Sequence, residues 1–273
     1  MTQCFNDLDQ PIGEPLTHWK EPAHPSSEPM DGRFCRLEPL SPDQHAEELY
    51  AAIALEKDGK SWTYLPYGPF NSFESYKKWL TAMSQKDDPL FFTIIQKSDG
   101  RAVGVASYLR IMPASGSVEV GHLHFSEQLK RSPVATEAMF LMMRRAFELG
   151  YRRYEWKCDV LNTASCAAAQ RLGFKHEGTF RQATVYKGRS RDTAWFSVID
   201  TEWPALSRAF SQWLAPDNFD EQGKQCTRLS ELLTRRKFMS TMQHRRYALH
   251  QSIFSLVQDG VEASACMIAC ASS

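Results

Sequence analysis

The chain has 273 residues, 42% of them apolar and 23% charged, with 32 basic side chains matched by 32 acidic ones. Such a composition belongs to a globular protein with chain enough for one large domain or two small ones. The balanced charge gives no global pull toward nucleic acid or an anionic membrane, and no apolar run is long enough to span a bilayer.

Residues 1–31 carry five prolines, Pro11, Pro15, Pro22, Pro25 and Pro29. Prolines at that density predict an extended arm on the domain surface, with Trp19 as its anchor. The first residues lack the basic start and apolar stretch of a secretory signal, and Asp7, Asp9 and Glu14 disfavour a mitochondrial transit peptide. Seven scattered cysteines without paired metal spacing suit free thiols. A cytoplasmic location is expected, and no metal site.

Regular periodicity begins at Gly32. Residues 33–40 alternate as a strand, and Ser41-Pro42-Asp43 opens a helix to about Leu55: a capping hydroxyl, a proline at the first position, an acid near the dipole. A second helix is predicted over 72–83, with Phe73, Tyr76, Trp79 and Leu80 on one face. The aromatic segment 62–70 between them reads either as a core plug or as one wall of a substrate cleft.

Strands follow over 90–96, 102–111 and 117–125, joined by the turns Asp99-Gly100 and Ser115-Gly116 and therefore antiparallel. Pro133 opens a helix to about Leu149, with Gly150 as its stop. A strand over 154–159, a helix over 163–172 and a hairpin of 174–186 with 192–200 around Lys187-Gly188-Arg189 complete the pattern. The order predicts an α+β domain over 32–204: α/β/α-like layers with a mixed, mostly antiparallel central sheet flanked by helices. Residues 205–273 read as a helical extension of unknown role. Helices are expected over 205–214 and 226–238, and the basic clusters Arg235-Arg236-Lys237 and Arg245-Arg246 are expected on solvated faces.

Two cations and a serine, Lys130-Arg131-Ser132, precede the helix start at Pro133 directly after a strand. Backbone amides at a helix N-terminus can hold a pyrophosphate without a metal. No Gly-x-x-x-x-Gly-Lys-Ser/Thr loop, His-Glu-x-x-His pair or Gly-x-Ser-x-Gly elbow occurs. Cys158 and Cys166 read as small packing residues.

The motifs Glu119-Val120-Gly121, Ala135-Thr136-Glu137-Ala138, Asn162-Thr163-Ala164-Ser165 and Leu172-Gly173-Phe174 with Glu177-Gly178 stand in one order. In that order and spacing the chain resembles the GNAT superfamily of acetyltransferases, in the branch of the ribosomal-protein alanine N-acetyltransferases. The resemblance covers about residues 32–203. It implies the GNAT fold and transfer of an acetyl group from acetyl-CoA to a primary amine, on a small molecule or a protein N-terminus. It implies backbone amides of Phe125 and Ser126 on the pantetheine arm, Asn162 on the same arm, and Arg131, Ser132, Val134, Ala135 and Thr136 around the pyrophosphate. It places Ser165 near the sulfur, as acid for the leaving thiolate.

An amine must lose a proton to attack, and Glu119 is the first candidate base, Glu155 the second. The chain departs from the family in three places. Lys130 and Pro133 stand where Gln or Arg and then Gly are usual, so one phosphate-binding amide is missing. His122, with His124 two further on, replaces the aromatic after Glu-x-Gly. Both histidines are expected beneath a helix. Thr184 follows Gln182-Ala183 where the branch can carry Glu. A non-catalytic acyl-CoA-binding module is the alternative left open.

Overall fold

The computed structural model of the protein describes residues 3–56 and 58–234. The described residues fall into two compact units, divided after Pro204. The first opens on a small hairpin of β1 (Cys4–Phe5) and β2 (Pro11–Ile12). An eight-stranded sheet comes next. It comprises β3 (Met30–Asp31), β4 (Cys35–Pro39), β5 (Leu90–Gln96), β6 (Ala102–Met112), β7 (Ser117–Phe125), β8 (Arg153–Asp159), β9 (Lys175–Tyr186) and β10 (Arg189–Ile199). Their order across the sheet is β3-β4-β5-β6-β7-β8-β10-β9. Every pairing is antiparallel except β7 with β8.

Helices α1 (Pro42–Ala54) and α2 (Phe73–Ser84) cover one face, and α3 (Pro133–Glu148) and α4 (Thr163–Arg171) flank the other. Side chains alternate accordingly. Phe91 and Val105 pack with Leu49, Tyr76 and Leu80 beneath α1 and α2. Phe92 and Tyr108 point the other way, and the Tyr108 hydroxyl donates to the Met142 carbonyl of α3 at 2.6 Å. Covered on both faces, β5 is a continuous apolar run rather than an alternating one.

Three local expectations are corrected. Ser41 does begin α1, but its hydroxyl caps nothing: its own amide donates to His45 Nδ1 at 3.2 Å, so the reciprocal bond comes from a later side chain. Trp19 does not anchor the arm; it stays 36% exposed, resting near Gly116. The arm is held by buried Pro22 and Pro25, and by Arg145 of α3, which donates to the Glu28 and Pro29 carbonyls. The closing hairpin turns on two residues rather than three. Lys187 and Gly188 have φ of 48° and 69°, the left-handed pair that matches the strands' twist, so β10 already begins at Arg189.

The second unit holds most of α5 (Trp203–Leu214). Asn218 organises the segment after this helix. Its Nδ2 donates to the Trp213 carbonyl at 2.8 Å, and its Oδ1 accepts from the Thr227 amide at 2.8 Å. Cys226 therefore lies in a turn, with its amide on the Asn218 carbonyl, and helix begins only at Leu229. The rest of the expected helix and both basic clusters lie outside the described residues.

One side chain fastens α3 to the far edge of the sheet. Glu137, 3% exposed, accepts the amides of Arg33, Phe34 and Cys35 at 2.7, 2.6 and 2.8 Å. A Cβ on Gly32 would stand 2.5 Å from that carboxylate, so glycine is required beside it. Glu137→Ala orphans three backbone donors, that of Cys35 buried and those of Arg33 and Phe34 partly so. It is expected to cost about 3 kcal/mol in urea unfolding, with Glu137→Gln costing less. An Ala variant within about 0.5 kcal/mol of the parent would show that water satisfies those amides.

Candidate active site

The parallel strands β7 and β8 pair only from Ser117 with Arg153 to Val120 with Trp156. Past those residues they run on without pairing to each other, to Phe125 and Asp159. The parting has a local cause. Val105 faces His124 and Ser107 faces Gly121, so β7 carries one residue more than β6 over that interval. The extra residue is accommodated by His122 at φ 51°. A bulge bends its strand and turns backbone groups out of the ladder. The result is a wedge walled by main chain, suited to an extended ligand that carries amides of its own.

Both helices that follow the parted strands start at its mouth. Before α3, Arg131 takes φ 60°, and the Ser132 hydroxyl donates to the Leu129 carbonyl at 2.7 Å and accepts from the Ala135 amide at 3.2 Å. Leu129 is fully buried against Gly104, where a Cβ would stand 2.6 Å from it. Thr136 is buried and accepts from Arg171 at 2.9 Å. Lys130 turns away to Glu127 at 2.6 Å, whereas Arg131 makes no ion pair among the described residues. Val134 follows Pro133 in the first turn. Phe125 pairs with Gly104, and the Ser126 amide donates to the Val103 carbonyl at 3.1 Å. Ser126 therefore faces β6 and is not open to a pantetheine arm as expected.

At the start of α4, Asn162 Oδ1 accepts the Ser165 amide at 3.1 Å. That oxygen is the helix cap and is not spare; only the Asn162 NH₂ is left for a ligand. The Ser165 hydroxyl does not bond its own backbone. It accepts from the Trp156 indole N–H at 3.0 Å and directs its own proton toward the Cys158 sulfur, from which a leaving thiolate would have to draw it.

Glu119 and Glu155 are cross-strand neighbours on the opposite sheet face. Glu119 is 3% exposed, with both oxygens 2.8 Å from Arg110 Nη1 and Oε2 2.9 Å from Lys157. Glu155 accepts from Arg153 at 2.6 Å and Lys157 at 2.7 Å. Arg153 continues the chain of charges to Glu177 at 2.9 Å, and Lys157 lies 3.9 Å from the Trp195 ring centre. Burial lifts Glu119 above the usual carboxylate range despite its two cations. Burial acts in the same sense on Glu155, but its bonds from Lys157 and Arg153 outweigh it and hold the group below that range.

The aromatic segment packs in the core, as one of the two readings expected. Trp62 is buried in the core under α1 and α2, and Gly68 leaves room for its ring. The same segment reaches the parted strands. Trp62 stacks on His124 at 3.7 Å between ring centres, and the Tyr67 hydroxyl lies 3.1 Å from His122 Nδ1. This segment, entered through the 3₁₀ turn Lys60–Trp62 rather than a long helix, covers the two histidines. Ser61 Oγ stands 3.0 Å from His124 Nε2. Across the gap, Lys187 at the hairpin tip donates to the Trp62 carbonyl at 2.7 Å, and Tyr64 donates to the Leu161 carbonyl at 3.1 Å. Loop and hairpin thus close over the wedge from opposite sides. Trp156 and Lys157 were not singled out from sequence, and Glu137 only as part of the Ala135-Thr136-Glu137-Ala138 motif, without its role; an indole and a lysine inside a strand pattern carry no motif of their own.

Residues 35–175 match the acetyltransferase (GNAT) domain family. A GCN5-related N-acetyltransferase from Brucella melitensis is 45% identical, with 80% of this chain and 100% of that one covered and a TM-score of 0.78. A probable acetyltransferase of the GNAT family from Chromobacterium violaceum is 40% identical over 72% of this chain and 98% of its own, with a TM-score of 0.67. The microcin C7 self-immunity acetyltransferase MccE, solved with acetyl-CoA and AMP, shares the fold at 24% identity and a TM-score of 0.55, covering 62% of this chain and 93% of its own. No curated protein sequence matched. The chain belongs to the GNAT acetyltransferases, a family that uses acetyl-CoA. Among the described residues no helix is long and apolar enough to cross a membrane, and no three potential metal ligands cluster.

Burial, aided by nearby Arg110 and Lys86 at His122 and by Lys130 at His124, lowers the two ring pKa values from 6.5 to about 4 and about 3. Between pH 6.5 and 4 the unfolded chain therefore binds protons that the folded rings refuse. Their contribution to stability is complete above pH 6.5 and is lost as pH falls through that window. The melting temperature should drop from pH 7 to pH 5, and drop less in His124→Phe. An equal drop in both proteins would refute a neutral, buried His124.

Proposed function

We propose that the protein transfers the acetyl group of acetyl-CoA to a primary amine on a small molecule or a protein N-terminus. The observation that carries this reading is the wedge between β7 and β8, with two helix starts at its mouth and a buried carboxylate on the neighbouring face. Acetyl-CoA, when bound, supplies an acetyl group already activated as a thioester. The main chain around Phe125 and the Asn162 NH₂ would hold its pantetheine arm. The amides of Val134 and Thr136, with Ser132 and Arg131, would hold the pyrophosphate, the Ala135 amide being committed to the Ser132 hydroxyl; Arg131 substitutes for the amide that Pro133 lacks.

Glu119 is the proposed proton acceptor for the amine. Its raised pKa suits the task. Arg110 is 59% exposed along its side chain, so its guanidinium can swing into water and free an oxygen while Lys157 stays in place. Glu155, lowered by its partners, then serves to hold Lys157. Ser165 is the proposed acid, its hydroxyl aimed by Trp156. Residues 32–204 would form the transferase domain, with 1–31 as its arm and 205–273 as an extension without an assigned part in the reaction. The five described cysteines are all free thiols, which supports placing the enzyme in the cytoplasm.

The reading is tested by incubating the protein with acetyl-CoA and a panel of amines and following free thiol. Ser165→Ala should lower turnover at least tenfold and leave acetyl-CoA affinity within about twofold, since the thiolate exists only as the bond breaks. Normal turnover with a lowered melting temperature would reduce Ser165 to a packing role. Glu119→Gln should lower turnover about a hundredfold at an unchanged circular-dichroism spectrum. Full activity in that variant would leave deprotonation to bulk water. A protein that binds acetyl-CoA and acetylates no amine would be a binding module.

A further inference from the structure

Cys158 and Cys166 face each other with their sulfurs 3.5 Å apart. Cys158 lies on β8 past the point where it leaves β7, and Cys166 lies in the first turn of α4. They are unequal. Cys158 is 6% exposed, and burial pushes its thiol up to about 12, whereas Cys166 is half-buried and open to small solutes. The stretch between them holds both groups that the proposed function places on acetyl-CoA from this side, the Asn162 cap and the Ser165 hydroxyl.

We infer that this pair is a site of reversible oxidation, forming a Cys158–Cys166 disulfide that switches off the transfer site. The oxidant is a hydroperoxide. The Cys166 sulfur attacks one peroxide oxygen: an S–O bond forms, the O–O bond breaks, and the released alkoxide or hydroxide takes the thiol proton. The Cys158 sulfur then attacks the sulfenic acid at Cys166. An S–S bond forms, the S–O bond breaks, and the hydroxide leaves as water with the Cys158 proton. Two thiols are oxidised by two electrons and one peroxide is reduced.

Geometry favours the second step. The partner sulfur is already in contact, and a bond requires the two atoms to close from 3.5 Å to about 2.0 Å. Closure draws the first turn of α4 toward β8. The Ser165 hydroxyl sits one residue from Cys166, bonded at 3.0 Å to Trp156 on the same strand as Cys158. A shift of that size is enough to misalign a proton donor. The Ser165 hydroxyl, and to a lesser degree Arg191, favours the thiolate form of Cys158 during the attack.

The effect on turnover rests on the proposed transfer reaction; the disulfide itself does not. The test treats the full chain with hydrogen peroxide and digests it without reductant. Trypsin releases residues 158–171 as one peptide containing both cysteines, so the disulfide appears as that peptide lighter by two hydrogens. Acetyl transfer should fall at least tenfold and return with dithiothreitol. Cys158→Ser should form no such peptide and, once its Cys166 sulfenic acid is reduced, keep its activity. Absence of the lighter peptide at doses that oxidise the exposed Cys226 overturns the site. Formation of the disulfide with unchanged transfer overturns the switch. If the reduced protein acetylates no amine, the proposed function fails on its own account. Acetyl-CoA affinity then replaces turnover as the readout, with the same tenfold fall expected.

Discussion

The site depends on one interruption of hydrogen bonding. Two parallel strands in the middle of a sheet begin as neighbours and then separate, because β7 holds one residue more than its other partner can match. A buried strand edge without partners is costly. Here both exposed edges face the same narrow gap, where an amide-bearing ligand can restore what the ladder lost. The positions of the neighbouring elements stem from this gap. The helices that succeed the parted strands must begin where the strands end, which brings two sets of unpaired helix amides to the same opening. The aromatic loop and the hairpin tip then close the sides.

Much of the architecture was legible from local chemistry. Proline at the first helical position, glycine at the stops and short polar turns mark α1, α3 and the β5-β6-β7 meander to within a residue or two. The limits lay where a side chain could be claimed by two partners. Ser41 carries the residue type of a cap, but His45 reaches back to its amide first. Asn162 carries the type of a ligand donor, yet its oxygen caps α4. The Ser126 amide belongs to a sheet bond that only the register of β6 reveals. Sequence spacing says which groups are near; it does not say which of two acceptors a donor meets.

The charged row beside the wedge was the least legible part. Glu119 and Glu155 were conspicuous as carboxylates within strands, but their meaning comes from Arg110, Lys157 and Arg153, which arrive from other strands or from the alternate position of the same one. Three cations and three carboxylates, with Glu177, leave the row close to neutral. Buried Glu119 and Glu155, and Lys157 between them, are tolerated because each is paired, and removing Lys157 would leave both carboxylates short of a cation. A neutral row also sets no charge preference for an acceptor by itself, so under the proposed function discrimination between acceptors would fall to the shape of the loop and hairpin.

The tether between Glu137 and the amides of Arg33, Phe34 and Cys35 spans 102 to 104 residues of chain. During synthesis the edge strand leaves the ribosome about a hundred residues ahead of the carboxylate that receives it. Its other neighbour, β5, also emerges late, after both intervening helices. Beyond its own β3-β4 hairpin, the N-terminal edge must therefore wait for a partner while the helical layer and the meander form around a place it has yet to fill. Contacts of such long range are slow to form because the loop between them must be ordered first. Assembly of this domain is thus directed backward along its own chain: α3, the helix that starts at the mouth of the wedge, is also the piece whose arrival secures a strand made about a hundred residues earlier.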